Sequence, residues 1–331
     1  MKRVKKAIKI VIFNLILCLI VLFLFEISLR LISYDKNEQL ALNIRDLGGK
    51  ESNNSILSFE PTPSFSKEIY QLNSDGLRDY EINITKSPKI YRIAVLGDSV
   101  SYGVGVNLSD TFAKVLEKKL GENYEVVNFG FGGYNTFQEA EYLTYKVKKY
   151  NPDFIILEYT LNDFEPIVKK EDCKINLINL PINCKLKNSL YKIKVLYLLR
   201  NTIYTIQSKN DDFYNLVDSI SLDKKRWGED VSLPLQIFYN NSLEITGKKP
   251  LLVIVPMLYN LDDYQWNYIH QNVTFIASEI GFKTLDLLPE FSKYKYQDLR
   301  INEYDPYHPN KLGNLIIADS LSLQNFNSNF S

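Results

Sequence analysis

Ser99 closes the segment Val95-Leu96-Gly97-Asp98-Ser99, just after an apolar run that reads as a buried strand. Near the other end of the chain, Asp305-Pro306-Tyr307-His308-Pro309 sets an aspartate before one of only 2 histidines in the sequence. A serine hydroxyl is a weak nucleophile. A histidine can take its proton, and a carboxylate can orient that histidine. The pair of segments therefore points to cleavage or transfer of an acyl group, provided the fold brings them together.

The sequence pattern supplies elements to hold them. Ile93 to Leu96 reads as a short strand, and Thr111 to Leu120 as a helix with Phe112, Val115, Leu116 and Leu120 on one face and Asp110 as its N-cap. Tyr124 to Phe129 and Phe154 to Tyr159 read as further strands, with a helix over Thr136 to Tyr150 between them. Leu251 to Val255, between Pro250 and Pro256, is the clearest buried strand. Asp263 to Ile280 then reads as a helix, Thr284 to Leu287 as a strand and Lys311 to Leu323 as the last helix. Strands alternating with such helices imply an α/β fold, a parallel sheet with helices on both faces. Sites in these sheets form in loops beyond the carboxyl ends of the strands. Asp98-Ser99, Gly130 to Asn135 and Asn162-Asp163 all occupy such loops. Residues 164–245 interrupt the alternation and read as an insertion or lid, with one apolar helical stretch from Leu190 to Ile206. Residues 36–88 are polar, with Gly48-Gly49 and Pro61-Thr62-Pro63, and read as a stalk or packed leader with a turn at Asn73 to Asp79.

Composition narrows the class. The 331 residues carry 39 basic and 39 acidic side chains, so no net charge marks a nucleic-acid partner. At the N-terminus Lys2, Arg3, Lys5 and Lys6 precede an apolar run from Ile10 to Phe25, interrupted only by Asn14. Such a flank and run form an export signal, and no small-residue cleavage site follows. Residues 1–35 are therefore expected to be an uncleaved transmembrane signal anchor. The positive-inside rule then puts the rest outside the cytoplasm, periplasmic or extracellular. Cys173 and Cys184 lie in a polar stretch and either pair in an oxidising compartment or stand as free thiols. No metal-ligand spacing and no cofactor motif occurs, so neither metal nor cofactor is expected.

The blocks Gly97-Asp98-Ser99, Asn128-Phe129-Gly130-Phe131-Gly132-Gly133, Thr160-Leu161-Asn162-Asp163 and Asp305-Pro306-Tyr307-His308 stand in that order, each after its own strand or near the C-terminus. The set resembles the SGNH hydrolase family, the GDSL esterases and lipases, across roughly residues 70–325. With Asn73 to Asp79 it looks like the exported, membrane-anchored members. The resemblance implies a three-layer α/β/α domain over residues 89–331 with a mostly parallel, flavodoxin-like sheet. It implies Ser99 as nucleophile, His308 as general base and then acid, and Asp305 as its orienting partner. The oxyanion hole would be the backbone N–H groups of Ser99 and Gly133 and the side-chain amide of Asn162. Among Gly130, Gly132 and Gly133, spacing from Asn128 favours Gly133. Thr160 departs from the family, which has glycine there, and would narrow the pocket.

The expected activity is a serine esterase acting on O-acyl esters, O-acetyl or short acyl groups on an envelope glycan or lipid among them. An acyltransferase delivering the acyl group to a polysaccharide hydroxyl would use the same side chains. A glycan-binding protein on a decayed fold is the reading from another class, and the presence of every proposed catalytic side chain argues against it. Asp98 and Asp163 read as structural hydrogen-bonding residues, and His270, inside a helical pattern, as a surface or interface histidine.

Overall fold

This is a computed structural model, and it describes residues 2–31, 44–164, 174–175, 180–181, 226–303 and 305–326. The chain forms two compact units. The first holds residues 1–41 and 169–216. In it the structure describes helix α1 (Lys2–Leu31) and a two-residue antiparallel ladder pairing Lys174–Ile175 with Leu180–Pro181. Apolar side chains stand exposed along α1, with Phe13 at 65% and Phe23 at 64%. Among the described residues no helix is long and apolar enough to cross a membrane. The side chains at 11, 15 and 19, within the apolar run, are outside the described set. The expected anchor therefore rests on the sequence. Cys173, Cys184 and the stretch from Leu190 to Ile206 also lie outside the described residues.

The second unit, residues 42–168 and 217–331, is built on a five-stranded sheet. Its strands are β1 (Tyr91–Leu96), β2 (Tyr124–Asn128), β3 (Phe154–Tyr159), β4 (Leu251–Ile254) and β5 (Lys283–Asp286). Every pairing in it is parallel, and the spatial order is β2-β1-β3-β4-β5. That is the flavodoxin-like order with its switch point beside β1. Phe154, Ile155, Ile156 and Leu157 are buried on both faces of β3, as a central parallel strand between two helical layers requires.

The helices of this unit are α2 (Ser99–Tyr102), α3 (Phe112–Leu120), α4 (Thr136–Tyr145), α5 (Leu233–Thr246), α6 (Asn267–Ile280), α7 (Leu288–Phe291) and α8 (Lys311–Ser322). On one side α3 packs on α8. Phe112, Leu116, Ile317 and Leu321 there join Ile93, Val95, Ile156 and Val253 in one core. In the other layer α5 packs against α4, β3 and α6.

Several expected boundaries move, among them the start of α6, which is Asn267 and not Asp263 because Leu261–Asp263 forms its own 3-10 turn. Thr111, not Asp110, caps α3, because its side chain accepts from the Lys114 amide while Asp110 ends a preceding 3-10 turn. The second expected helix stops at Tyr145, and Val147–Tyr150 continues as a 3-10 turn. The interruption drawn to residue 245 runs too far, since α5 covers the sheet. Its Pro234 stands where a π-helical turn, Trp227–Ser232, passes into α5.

The described part of the leader is packed, not extended. Gly49–Glu51 pairs with Phe59–Pro61 and Ser66–Lys67 with Tyr70–Gln71. Leu47, Leu57, Leu72 and Leu77 are buried. The Arg78 guanidinium, 1% exposed, donates to the carbonyls of Tyr102 at 2.7 Å, Val106 at 2.6 Å and Gly103. It lies 4.9 Å from the ring centres of both Tyr70 and Tyr102.

Candidate active site

Ser99 opens α2 immediately beyond β1, so its hydroxyl stands at the carboxyl edge of the sheet. Asp98 is the N-cap, its Oδ1 accepting from the Val100 amide at 2.8 Å. Gly97 precedes it at φ +156, and a Cβ there would collide with Ser101 and Glu158 side-chain oxygens. The sequence turns sharply into α2 here because a side chain at 97 is absent.

His308 reaches Ser99 across the unit. Its Nε2 lies 2.9 Å from Ser99 Oγ and its Nδ1 2.7 Å from Asp305 Oδ2. With the Nδ1 proton toward the carboxylate, Nε2 is left to accept the serine proton. Asp305 is fixed in turn, since its Oδ1 accepts from the amides of Tyr307 at 2.9 Å and His308 at 3.0 Å. Burial works to raise the Asp305 carboxyl. The His308 hydrogen bond and charge, with those two amides, outweigh it and hold the group below the usual carboxylate range. The loop is pinned by the Leu258 amide donating to the Pro306 carbonyl at 2.7 Å. Past it, Asn310 caps α8 through the amides of Leu312 and Gly313.

Three donors border the serine. Gly133 adopts φ +82, a left-handed conformation that glycine enters without a Cβ clash. Among the described residues, neither its amide nor that of Ser99 has an acceptor. Asn162 follows β3 in a 3-10 turn (Leu161–Phe164). Its Nδ2 donates to Asp98 Oδ2 at 2.7 Å, and its Oδ1 accepts from the Thr160 hydroxyl. Thr160 also lies 3.1 Å from Asp98 Oδ2. Asp98 thus aligns the asparagine amide, and one amide N–H stays available to a ligand. Asp98, Val100, Thr160, Asn162, Pro256, Met257 and Tyr307 line a small cleft. Thr160 forms part of its wall.

Four features were missed or misread in the sequence. Glu158, the one charged residue of β3, is 1% exposed, and its Oε2 accepts from the Ser101 hydroxyl at 2.9 Å and amide at 3.2 Å. Burial, then the charges of Asp98 and Asp163, push its carboxyl well above the usual range. Glu139 on α4 behaves likewise, through burial and then Asp163, Glu158 and Asp98, and neither of its oxygens has a hydrogen-bond partner among the described residues. Asn128 bridges the second loop to α2 by donating to the Ser101 carbonyl at 2.7 Å. His270 is a correction, because it is fully buried, not at the surface. Its Nδ1 lies 2.8 Å from Asp286 and its Nε2 3.3 Å from the Tyr264 hydroxyl, which accepts from the Met257 amide at 3.0 Å. This second histidine braces the loop that lines the cleft. Asp163 has the structural place expected of it, accepting from the Thr160 amide at 2.7 Å.

A family model described as GDSL-like Lipase/Acylhydrolase matches residues 95–316. The chain belongs to this family. The GDSL-like match spans all four blocks, and with the geometry it makes the protein a serine hydrolase of the SGNH type. No curated protein matches the chain. Among solved structures, an α/β hydrolase enzyme from the metagenome of Lake Arreo, Spain, is 16% identical, covering 70% of this chain and 93% of that one at a TM-score of 0.45. TesA is 15% identical, covering 71% and 99% at 0.45. Axe2, an acetylxylan esterase from Geobacillus stearothermophilus studied as a catalytic mutant, is 12% identical, covering 71% and 95% at 0.43. Among the described residues no group of three or more His, Cys, Asp or Glu side chains is arranged to hold a metal ion.

Proposed function

We propose that this GDSL-like hydrolase is an esterase that removes short O-acyl groups through an acyl-Ser99 intermediate. The observation that carries the reading is the line of contacts from Ser99 Oγ through His308 to Asp305, at 2.9 Å and 2.7 Å. His308 Nε2 takes the hydroxyl proton as Oγ attacks the ester carbonyl. The oxyanion that forms meets the Ser99 and Gly133 amides and the free N–H of Asn162, fixed donors that need no rearrangement. His308 then returns the proton to the departing alkoxide. Water, activated by the same nitrogen, cleaves the acyl-Ser99 ester and restores the serine.

The substrate class we assign is an O-acetyl or other short acyl ester on an envelope glycan or lipid. The basic first turns of α1 and the exposed apolar side chains that follow them support an N-terminal anchor with the catalytic unit outside the cytoplasm. A C-terminal alkaline phosphatase fusion, active only after export, checks this; an inactive fusion would overturn the localisation. For the chemistry, Ser99→Ala and His308→Ala should each abolish hydrolysis of p-nitrophenyl acetate without loss of fold. Labelling by a fluorophosphonate should depend on Ser99. Substantial turnover in either variant would sink the assignment. Adding an oligosaccharide acceptor should leave free acid as the product, and an acylated sugar in its place would make the protein a transferase.

A further inference from the structure

The packed leader reaches the glycine turn beside the nucleophile. Leu47 is 3% exposed, and its carbonyl accepts from the Tyr102 hydroxyl at 2.8 Å. Tyr102 ends the short helix that Ser99 begins. A Cβ built on Gly132 would lie 2.5 Å from Leu47 Cδ1 and 3.6 Å from Ser99 Cβ. A leader methyl group therefore fills the space that a side chain at 132 would take, directly beside the serine. At Gly133 a Cβ would meet Phe59 at 3.6 Å and Ile44 at 3.7 Å. Phe59 is held by its carbonyl, which accepts from the Tyr134 hydroxyl at 2.9 Å, and by the Phe131 and Tyr134 rings at 5.9 and 5.1 Å. Ile44 and Phe59 are half-buried, whereas Leu47 is sealed in.

Three apolar side chains from one segment thus border the two glycines next to Ser99. We infer that Ile44, Leu47 and Phe59 form the acyl-side wall of the site, and that Leu47 limits it to short acyl groups such as acetyl. The inference rests on the esterase reading above. An acyl carbonyl held by the Ser99 and Gly133 amides places its substituent near this turn. An apolar wall binds a methyl group there, and buried Leu47 leaves no room behind it for a longer chain. Apolar pockets discriminate one methylene by roughly 10–200-fold at most, so the limit should appear as a graded chain-length preference.

The experiment measures kcat/KM on p-nitrophenyl acetate, butyrate and hexanoate with the whole protein. The wild type should prefer acetate over hexanoate by at least about tenfold. Leu47→Ala should shift the hexanoate-to-acetate ratio upward by about tenfold, because the lost methyls open space beside Ser99. Ile44→Ala, at the more exposed end, should shift it the same way by less. Should Leu47→Ala fail to fold, Ile44→Ala alone decides the matter. Ratios unchanged in the folded variants overturn the wall while Ser99 still reacts with a fluorophosphonate. Failure of the wild type to react with that probe overturns the esterase reading instead, so the two failures are told apart.

Discussion

At the scale of single residues, the site combines groups whose roles a sequence shows and groups whose roles it hides. Ser99, Gly133, Asn162, Asp305 and His308 are legible because each occupies a fixed place in a short block, three of them after a strand and two just before the last helix. Glu139 and Glu158 are not, because Glu139 reads like its half-buried neighbour Glu141 and the single charged letter of β3 carries no information about its partners. Asn162 tests the visible group. Its amide is aligned by Asp98 at 2.7 Å, so Asn162→Ala should lower kcat by about 10²–10³ and leave KM nearly unchanged, as loss of an oxyanion donor does. Steady-state kinetics on p-nitrophenyl acetate check it, and a change confined to KM would contradict the oxyanion role. Glu139 tests the hidden group. Burial, then the charges of Asp163, Glu158 and Asp98, keep it protonated in the fold, whereas the unfolded chain releases that proton near about pH 4.3. Above that pH the native state binds more protons than the unfolded one, so this side chain's contribution to stability falls as pH rises toward its raised value. Below it both states are protonated and the contribution is flat. Glu139→Gln should therefore gain in thermal midpoint relative to wild type, and the gain should grow from pH 5 to pH 9. A pH-independent difference would show that Glu139 is not held neutral.

At the scale of elements, periodicity found every strand of the sheet and most helices, and capping decided the ends it got wrong. Asp110 and Thr111 are both good N-cap residues. The choice fell to Thr111 because Leu108–Asp110 forms its own 3-10 turn, which no periodicity distinguishes from the first turn of α3. The helix α4 starts with the clearest local signal, a reciprocal capping box between Asn135 and Gln138. It lies in the loop that carries Gly133. Gln138 also donates to the Leu57 carbonyl at 2.8 Å, tying the leader to the same turn. Asn135→Ala removes the acceptor for the Gln138 amide and should cost about 1 kcal/mol of stability, read from the midpoint of urea unfolding. Because the cap sits between Gly133 and the body of α4, kcat should fall as well. A variant that loses stability with kcat intact would place the cap outside the positioning of the site. The insertion boundary was misjudged for a related reason. The apolar periodicity of Leu233–Thr246 follows a long Lys-, Asn- and Tyr-rich stretch, and composition outweighed pattern.

At the scale of the catalytic unit, the leader is the part least visible in the sequence. Polar residues, paired glycines and prolines announce turns but give no hint of what they fold against. Beside the bonds from Tyr102, Tyr134 and Gln138, one guanidinium anchors it most heavily. Arg78 donates to three carbonyls around the turn that follows α2 and lies between the Tyr70 and Tyr102 rings. Tyr70 belongs to the leader and also accepts from the Gly105 amide at 3.1 Å, while Tyr102 ends the helix begun by Ser99 and holds Leu47. A lysine keeps the charge but lacks the planar fork that meets several carbonyls at once and stacks between rings. Charge-assisted hydrogen bonds are worth roughly 1.5–3 kcal/mol each, and a buried acceptor left unpaired adds to the loss. Arg78→Lys should therefore destabilise the unit by about 2–4 kcal/mol. Amide exchange should quicken in Leu47 to Leu77 before it quickens in the sheet. Turnover should drop along with it, because the same carbonyls belong to the turn behind Ser99. Uniform exchange across leader and sheet, with stability within about 0.5 kcal/mol of wild type, would show that the leader is held by something other than Arg78.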